Sequence, residues 1–239
     1  MQVVDLKYFQ LNSFFKMRIT VFYKVFLFAS CVGCFHSCKK IVQPPPSELT
    51  TPFKNIYING TVSLNLYDGS ENMVTEAIGY SIKPTIQDNS LYVTGWGNLS
   101  VKIKECDTIF INENSIVSGY NAAKLSHLVF KVNDVTSFSA NYVNLTDSVD
   151  ILLDGSGTYT FSGVTNRVNV YMNGTGAFSG TGLYSKNCKA TINNSGSADV
   201  TVSDTLTGII NGNGNINYYG DPKLVKPVFI SGTGQLIKK

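Results

Sequence analysis

From residue 148 onward the chain repeats one pattern of apolar and polar positions. Apolar residues fall at alternate positions, a short glycine-containing polar turn follows, and the alternation resumes. The turns read DGSG from Asp154, NGTG from Asn173, NNSG from Asn193, NGNG from Asn211 and SGTG from Ser231. Asn133 and Asn112 extend the series backwards, so the rungs Asn112, Asn133, Asp154, Asn173, Asn193, Asn211 and Ser231 recur every 18 to 21 residues. Just before each turn, Leu153, Met172, Ile192, Ile210 and Ile230 align; two residues past its last glycine, Tyr159, Phe178, Ala198, Ile216 and Leu236 do so. Two positions further come Phe161, Gly180, Val200, Tyr218 and Lys238. Successive side chains of a strand point to opposite faces, so each unit reads as strand, sharp turn, strand, with one face inward.

A unit of this length cannot bury its own inner face. Stacking units about 4.8 Å apart solves the problem, because each strand then pairs with its equivalents above and below. The predicted fold is therefore all-β: a parallel β-solenoid (β-helix) with coils of about 18–21 residues. An antiparallel meander could also use Asn-Gly hairpins, but its alternate strands would bury different sets, whereas here the whole unit repeats. Asparagine tolerates the left-handed backbone of a tight turn and can hydrogen-bond to its equivalents one coil away. A phosphate-binding glycine loop would have to open a helix, and no helical pattern follows any of these turns. The segment 53–104 is less regular. "NIYINGTVSLNLYDG" and "NSLYVTGWGNLSVKIKE" alternate well and read as strands that start the solenoid or cap it, ahead of regular coils over 105–239.

Composition agrees with strands and turns: only 15% of the 239 residues are charged, too few for a set of solvated helices. The N-terminus changes the reading of charge. From Met17, the candidate true start, a short basic stretch (Arg18, Lys24) precedes a short apolar one and then "CVGCFHSCKK", the outline of a lipoprotein signal peptide over residues 1–37. The expected lipid attachment site is Cys38, followed by hydrophilic Lys39-Lys40; Cys34, after Val32-Gly33, is the alternative. Lys39 beside the anchor fits delivery to the outer membrane. Residues 38–52, with three consecutive prolines, read as an extended spacer. Cleavage before Cys38 would remove Lys7, Lys16, Arg18, Lys24 and Asp5, leaving fifteen basic and fifteen acidic residues. The formal charge of +3 thus belongs to the leader and gives no argument for nucleic-acid binding.

The glycine turns after apolar strands, the opening "FKNIYINGTVSLNLYDG" and the closing "INGNGNINYYGDPKLVKPVFISGTGQLIKK" resemble the putative auto-transporter adhesin, head GIN domain family. The resemblance covers residues 53–239. It rests at the C-terminal end on the turn Asn211–Gly214, on Tyr219-Gly220-Asp221-Pro222 and on Gly232–Gly234. It implies a β-helical envelope protein of Gram-negative type, often lipid-anchored. Family members often carry an acidic residue directly after the turn; this chain has Thr158, Ala177, Ser197, Asn215 and Gln235, so no acidic ladder is expected.

Candidate chemistry is sparse. Beyond the leader, His127 is the single histidine and Arg167 the single arginine. No cofactor, catalytic group or metal site is predicted. A polysaccharide-active solenoid enzyme would need converging carboxylates; Asp134, Asp150 and Asp154 are the nearest, and two of them read as turn-formers. Cys106 and Cys188 are far apart in sequence, and their spacing leaves pairing open. Trp96, Tyr171, Tyr184 and Tyr219 are the candidate contacts for a binding surface. The expectation is an exported, lipid-anchored envelope protein that binds a glycan or a protein of the envelope or host, without catalysis; an architectural component without a ligand is the alternative.

Overall fold

Glycine corners and alternating strands generate the architecture directly. The computed structural model describes residues 42–43, 52–120 and 125–239; the signal segment, Cys34, Cys38 and most of the proline-rich spacer lie outside the described residues. Among the described residues every regular element is a strand. The parallel β-solenoid expected from the repeat is the fold observed.

The N-terminal region contains β1 (Val42–Gln43), β2 (Asn55–Asp68), β3 (Met73–Ile78), β4 (Lys83–Gln87) and β5 (Ser90–Ile103). Strands β2 and β5 are both full coils, paired in parallel without a register shift from Asn55–Ser90 to Asp68–Ile103. The intervening β3 and β4 run antiparallel along the two halves of β5, and β1 runs antiparallel to β3. This end of the solenoid is thereby covered by a small antiparallel layer. Asn72 secures it: its buried side chain donates to the carbonyls of Phe53 and Glu105 and accepts from the Lys104 amide at 2.7 Å.

The regular coils follow as β6 (Thr108–Ile111), β7 (Ser115–Tyr120), β8 (His127–Asn133), β9 (Ser137–Asn144), β10 (Ser148–Gly155), β11 (Thr158–Gly174), β12 (Ala177–Asn193), β13 (Ser197–Asn211), β14 (Asn215–Tyr219), β15 (Leu224–Ser231) and β16 (Leu236–Lys238). On one long side the strands stack in the order β5-β2-β6-β8-β10-β11-β12-β13, with β15 next to β13. Here β5, later in sequence, lies outside β2, and the chain returns across β2 to continue.

Inward positions form one continuous core. Phe138 and Phe161 meet edge-on at 5.5 Å, and Phe130 packs edge-on against Phe161 at 5.3 Å, the arrangement the ring quadrupoles favour. Tyr159 is fully buried and donates its hydroxyl to the Asp154 carbonyl at 3.0 Å; burial holds its phenol above the ordinary pKa. No buried side-chain nitrogen or oxygen among the described residues lacks a partner.

At the corners adjacent coils meet backbone to backbone. A β-carbon on Gly157 would overlap the Val135 carbonyl oxygen, and one on Gly214 or Gly234 would overlap the carbonyl of the glycine one coil before it. At the other end of the stack, β15 and β16 carry Pro227, Lys226 and Lys238. Lys238 stands in register with inward-facing Val200 and Tyr218 and reaches Asp221 at 2.7 Å. Proline and charge on an outermost strand discourage further strand pairing.

Two outcomes follow from this packing. Gly157→Ala should lower the unfolding free energy by about 1–3 kcal/mol, the cost of overpacking; a urea midpoint equal to the parent's would show that adjacent coils can part at the corner. Cys106 and Cys188 are buried free thiols whose pKa is pushed up to about 12 by burial, with Asp107 adding to the effect at Cys106. At neutral pH both should therefore stay protonated, unmodified by a disulfide reagent in the folded protein and modified in denaturant, as peptide mass mapping would read.

Candidate functional site

On the long side that begins each coil, Ile56 and Ile58 point inward, so Tyr57 between them points out. The register extends this position into one outward row: Tyr92, Tyr57, Phe110, Lys131, Leu152, Tyr171, Thr191 and Ile209. Three rings at one end stack along the axis. Tyr57 lies 4.8 Å from Tyr92 and 4.1 Å from Phe110, with planes 14° and 4° apart. Lys131 Nζ covers the free side of Phe110, 4.9 Å from its centroid. These rings cover one another's faces and offer their edges outward. Further along, Leu152 and Tyr171 are 38% and 45% exposed. A ridge that is apolar at all but Lys131 and Thr191 thus runs across eight stacked strands, about 34 Å at the usual strand spacing.

Beside the ridge runs the turn ladder. Asn133, Asp154, Asn173, Asn193, Asn211 and Ser231 are successive register partners. Asn133 Nδ2 donates to Asn112 Oδ1 at 3.4 Å, Asn173 Nδ2 to Asp154 Oδ1 at 3.4 Å, and Ser231 Oγ to Asn211 Oδ1 at 2.9 Å. Asn193 turns aside and donates to the Tyr171 hydroxyl at 2.6 Å, tying ladder to ridge. The ladder also has a rung that the repeat spacing hides: Asn59, whose Oδ1 accepts from Asn112 Nδ2 at 2.6 Å.

The sparse titratable candidates meet on the same face. His127 Nδ1 lies 2.8 Å from Ser148 Oγ, and His127 Nε2 lies 3.7 Å from Asp150 Oδ2. Asp150 also accepts from Asn169 Nδ2 at 2.6 Å, and Arg167 is the register neighbour of Ser148. The composition is that of an acyl-transfer triad, but the geometry is not. The acid contact is longer than a hydrogen bond, and Ser148 is only 5% exposed, which keeps a substrate carbonyl away from its oxygen. Asp134 and Asp154 stand at successive corners, where the Asp134 backbone N–H donates a hydrogen bond to the Asp154 carbonyl at 3.0 Å. Among the described residues no group of three potential ligands could hold a metal ion.

The four candidate aromatics occupy three separate places. Tyr171 is on the ridge. Tyr184 and Tyr219 share a row with Val164 and Thr201 at the opposite bend. Trp96 projects from the corner within β5, beside Tyr80. The ridge residues Tyr57, Tyr92 and Phe110 did carry a sequence signal: Ile-Tyr-Ile-Asn, Leu-Tyr-Val-Thr and Ile-Phe-Ile-Asn are one motif in three coils.

Comparison with known proteins agrees with this architecture. A crystal structure of a putative adhesin from Bacteroides fragilis superposes with a TM-score of 0.60 at 16% identity, covering 85% of this chain and 98% of that one. A putative adhesin from Parabacteroides merdae gives 0.50 at 19% identity, covering 84% and 95%. A putative lipid binding protein from Parabacteroides distasonis gives 0.53 at 14% identity, covering 79% and 93%. At these identities the likeness is one of fold. No functionally curated protein matches the chain. The family model described as "Putative auto-transporter adhesin, head GIN domain" matches residues 52–222, well over half the chain. With its stacked coils and glycine corners, the chain belongs to that family.

Proposed function

We infer that this protein is a non-catalytic binding module of the cell envelope, held by a lipid on Cys38 at the outer membrane and presenting its ridge to an extended glycan or protein partner. The carrying observation is the ridge itself. Six of the eight outward positions in this row are apolar, Tyr92, Tyr57, Phe110, Leu152, Tyr171 and Ile209, and Leu152 and Tyr171 stand exposed. A long, largely apolar outward row flanked by amides is the usual mark of an interaction surface. Its straightness suits a partner lying along the axis. The adhesin description of the family supports the same reading.

Two experiments test the two halves of this proposal. Metabolic labelling with an alkyne fatty acid should be lost in Cys38→Ala and kept in Cys34→Ala. Loss in Cys34→Ala alone would move the anchor there, and no incorporation in the parent would remove the tether. For the ridge, the Leu152→Lys/Tyr171→Lys double variant should be retained at least tenfold less on envelope and host-cell surface preparations, with stability within about 0.5 kcal/mol per exposed substitution. Parent-like retention would dismiss the ridge as the binding surface.

A further inference from the structure

Away from the ridge, the corner within β5 has a different construction. Gly95 and Gly97 flank Trp96, both with positive φ, at +92° and +157°. The backbone of residues 78–81 crosses over this corner at a distance no side chain could allow. A β-carbon on Gly79 would overlap the Trp96 carbonyl, one on Gly95 the Ser81 carbonyl, and one on Gly97 the Ile78 carbonyl. The Trp96 amide donates to Ser81 Oγ at 3.2 Å. Beneath, Gly60 is pressed in the same way against Gly95. Two chain segments are therefore locked backbone to backbone, and each throws one large aromatic ring outward. Trp96 and Tyr80 face each other with centroids 6.2 Å apart and planes 17° apart, yet they remain 59% and 73% exposed.

We propose that the Trp96–Tyr80 corner is a carbohydrate-binding site, taking the C–H face of a pyranose ring in a neutral β-linked oligosaccharide. The inference rests on the reading of the protein as a surface-binding module and names a ligand class for it. Three features point to sugar. The rings are near-parallel and rigidly based, so little conformational freedom is lost on stacking a flat apolar face against them. The surroundings are hydroxyls and amides: Thr61 is the register partner of Trp96, Thr94 precedes the corner, and the Asn59–Asn112 amide pair lies on the adjoining rungs. A protein hot spot would instead sit at the centre of an apolar ring that excludes water. Charge is scarce, since the register places one cation, Lys83, opposite Thr94; a nucleic-acid strand would need a basic track.

Trp96 is the single tryptophan of the chain, so its emission reports on this corner alone. The full-length protein should be titrated with cellohexaose, β-1,4-mannohexaose and laminarihexaose, with hexagalacturonate as a charged control. The expected result is a saturable blue shift with at least one neutral hexasaccharide. Tyr80→Ala, which keeps the reporter, should weaken that response at least tenfold, and calorimetry should find no binding of the same sugar by Trp96→Ala. Thermal unfolding of both variants checks that they fold. No shift with any neutral hexasaccharide at millimolar concentration, a response to hexagalacturonate only, or equal binding by the parent and Tyr80→Ala would each overturn the assignment. The Leu152→Lys/Tyr171→Lys variant should bind the oligosaccharide as the parent does. Loss of surface retention in that variant without any sugar response in the parent would sink this proposal alone; a sugar response with unaltered retention would sink the ridge reading alone.

Discussion

Backbone-to-backbone contact at the coil corners is the constraint on which this structure depends. At Gly157, Gly214 and Gly234 the carbonyl oxygen of the preceding coil occupies the space a β-carbon would need. Amides of each turn donate to carbonyls of the turn below, as Gly176 does to Gly155 at 3.2 Å and Gly214 to Asn194 at 3.0 Å. The coils cannot slide, because a slip of one residue would drive a side chain into that gap. With the corner fixed, everything leading away from it is fixed in register: the amide ladder three residues before these glycines, the inward residues beside it, and the ridge two residues before the ladder. Two turns have a non-glycine at the strained place, Asp134 at φ +48° and Asn194 at φ +91°, and both use residue types that tolerate such a backbone best.

This explains what was legible in the sequence. The corner demands particular residues at a fixed place in every coil, so the repeat from Asn112 to Ser231 shows in the letters. The N-terminal coils obey the same corner rule, with Gly60 and Gly95 in contact, but β3 and β4 are inserted between them. Asn55 therefore pairs with Ser90, 35 residues on, and the period disappears. Parallel stacking is indifferent to chain order, so nothing local dictated that β5 lies outside β2. The antiparallel cap follows a second logic, in which pairing is set by hairpin geometry. Trp96 and Tyr80 come together through it, which is why Trp96 could be singled out while its neighbour could not.

The cluster around His127 shows the converse. Its members lie one coil apart in the stack: His127 pairs in register with Ser148, and Ser148 with Arg167. Any solenoid with polar outward positions will assemble such combinations by register, because stacked residues are neighbours whatever their chemistry. Proximity of a serine, a histidine and an acid is therefore weak evidence here for a selected mechanism. Exposure and geometry have to decide, and a buried serine with a distant acid decides against it.

The same indifference favours surface function. In a solenoid each coil touches only its neighbours, so an outward substitution changes the surface without disturbing the core. Stacking between coils accounts for Tyr92, Tyr57 and Phe110, but the exposed Leu152 and Tyr171 require an account outside folding. The corner at Trp96 requires a different one. Its glycines are explained by the crossing of two backbones, but the rings they carry are not, since neither is needed to fill the core. The two surfaces also differ in kind. The ridge is assembled by register over many coils and is only as straight as their stacking. The corner is built from two locked segments at the capped end, where β1 brings the chain in. A long partner and a small rigid ligand place different demands on a protein, and these two constructions answer them separately.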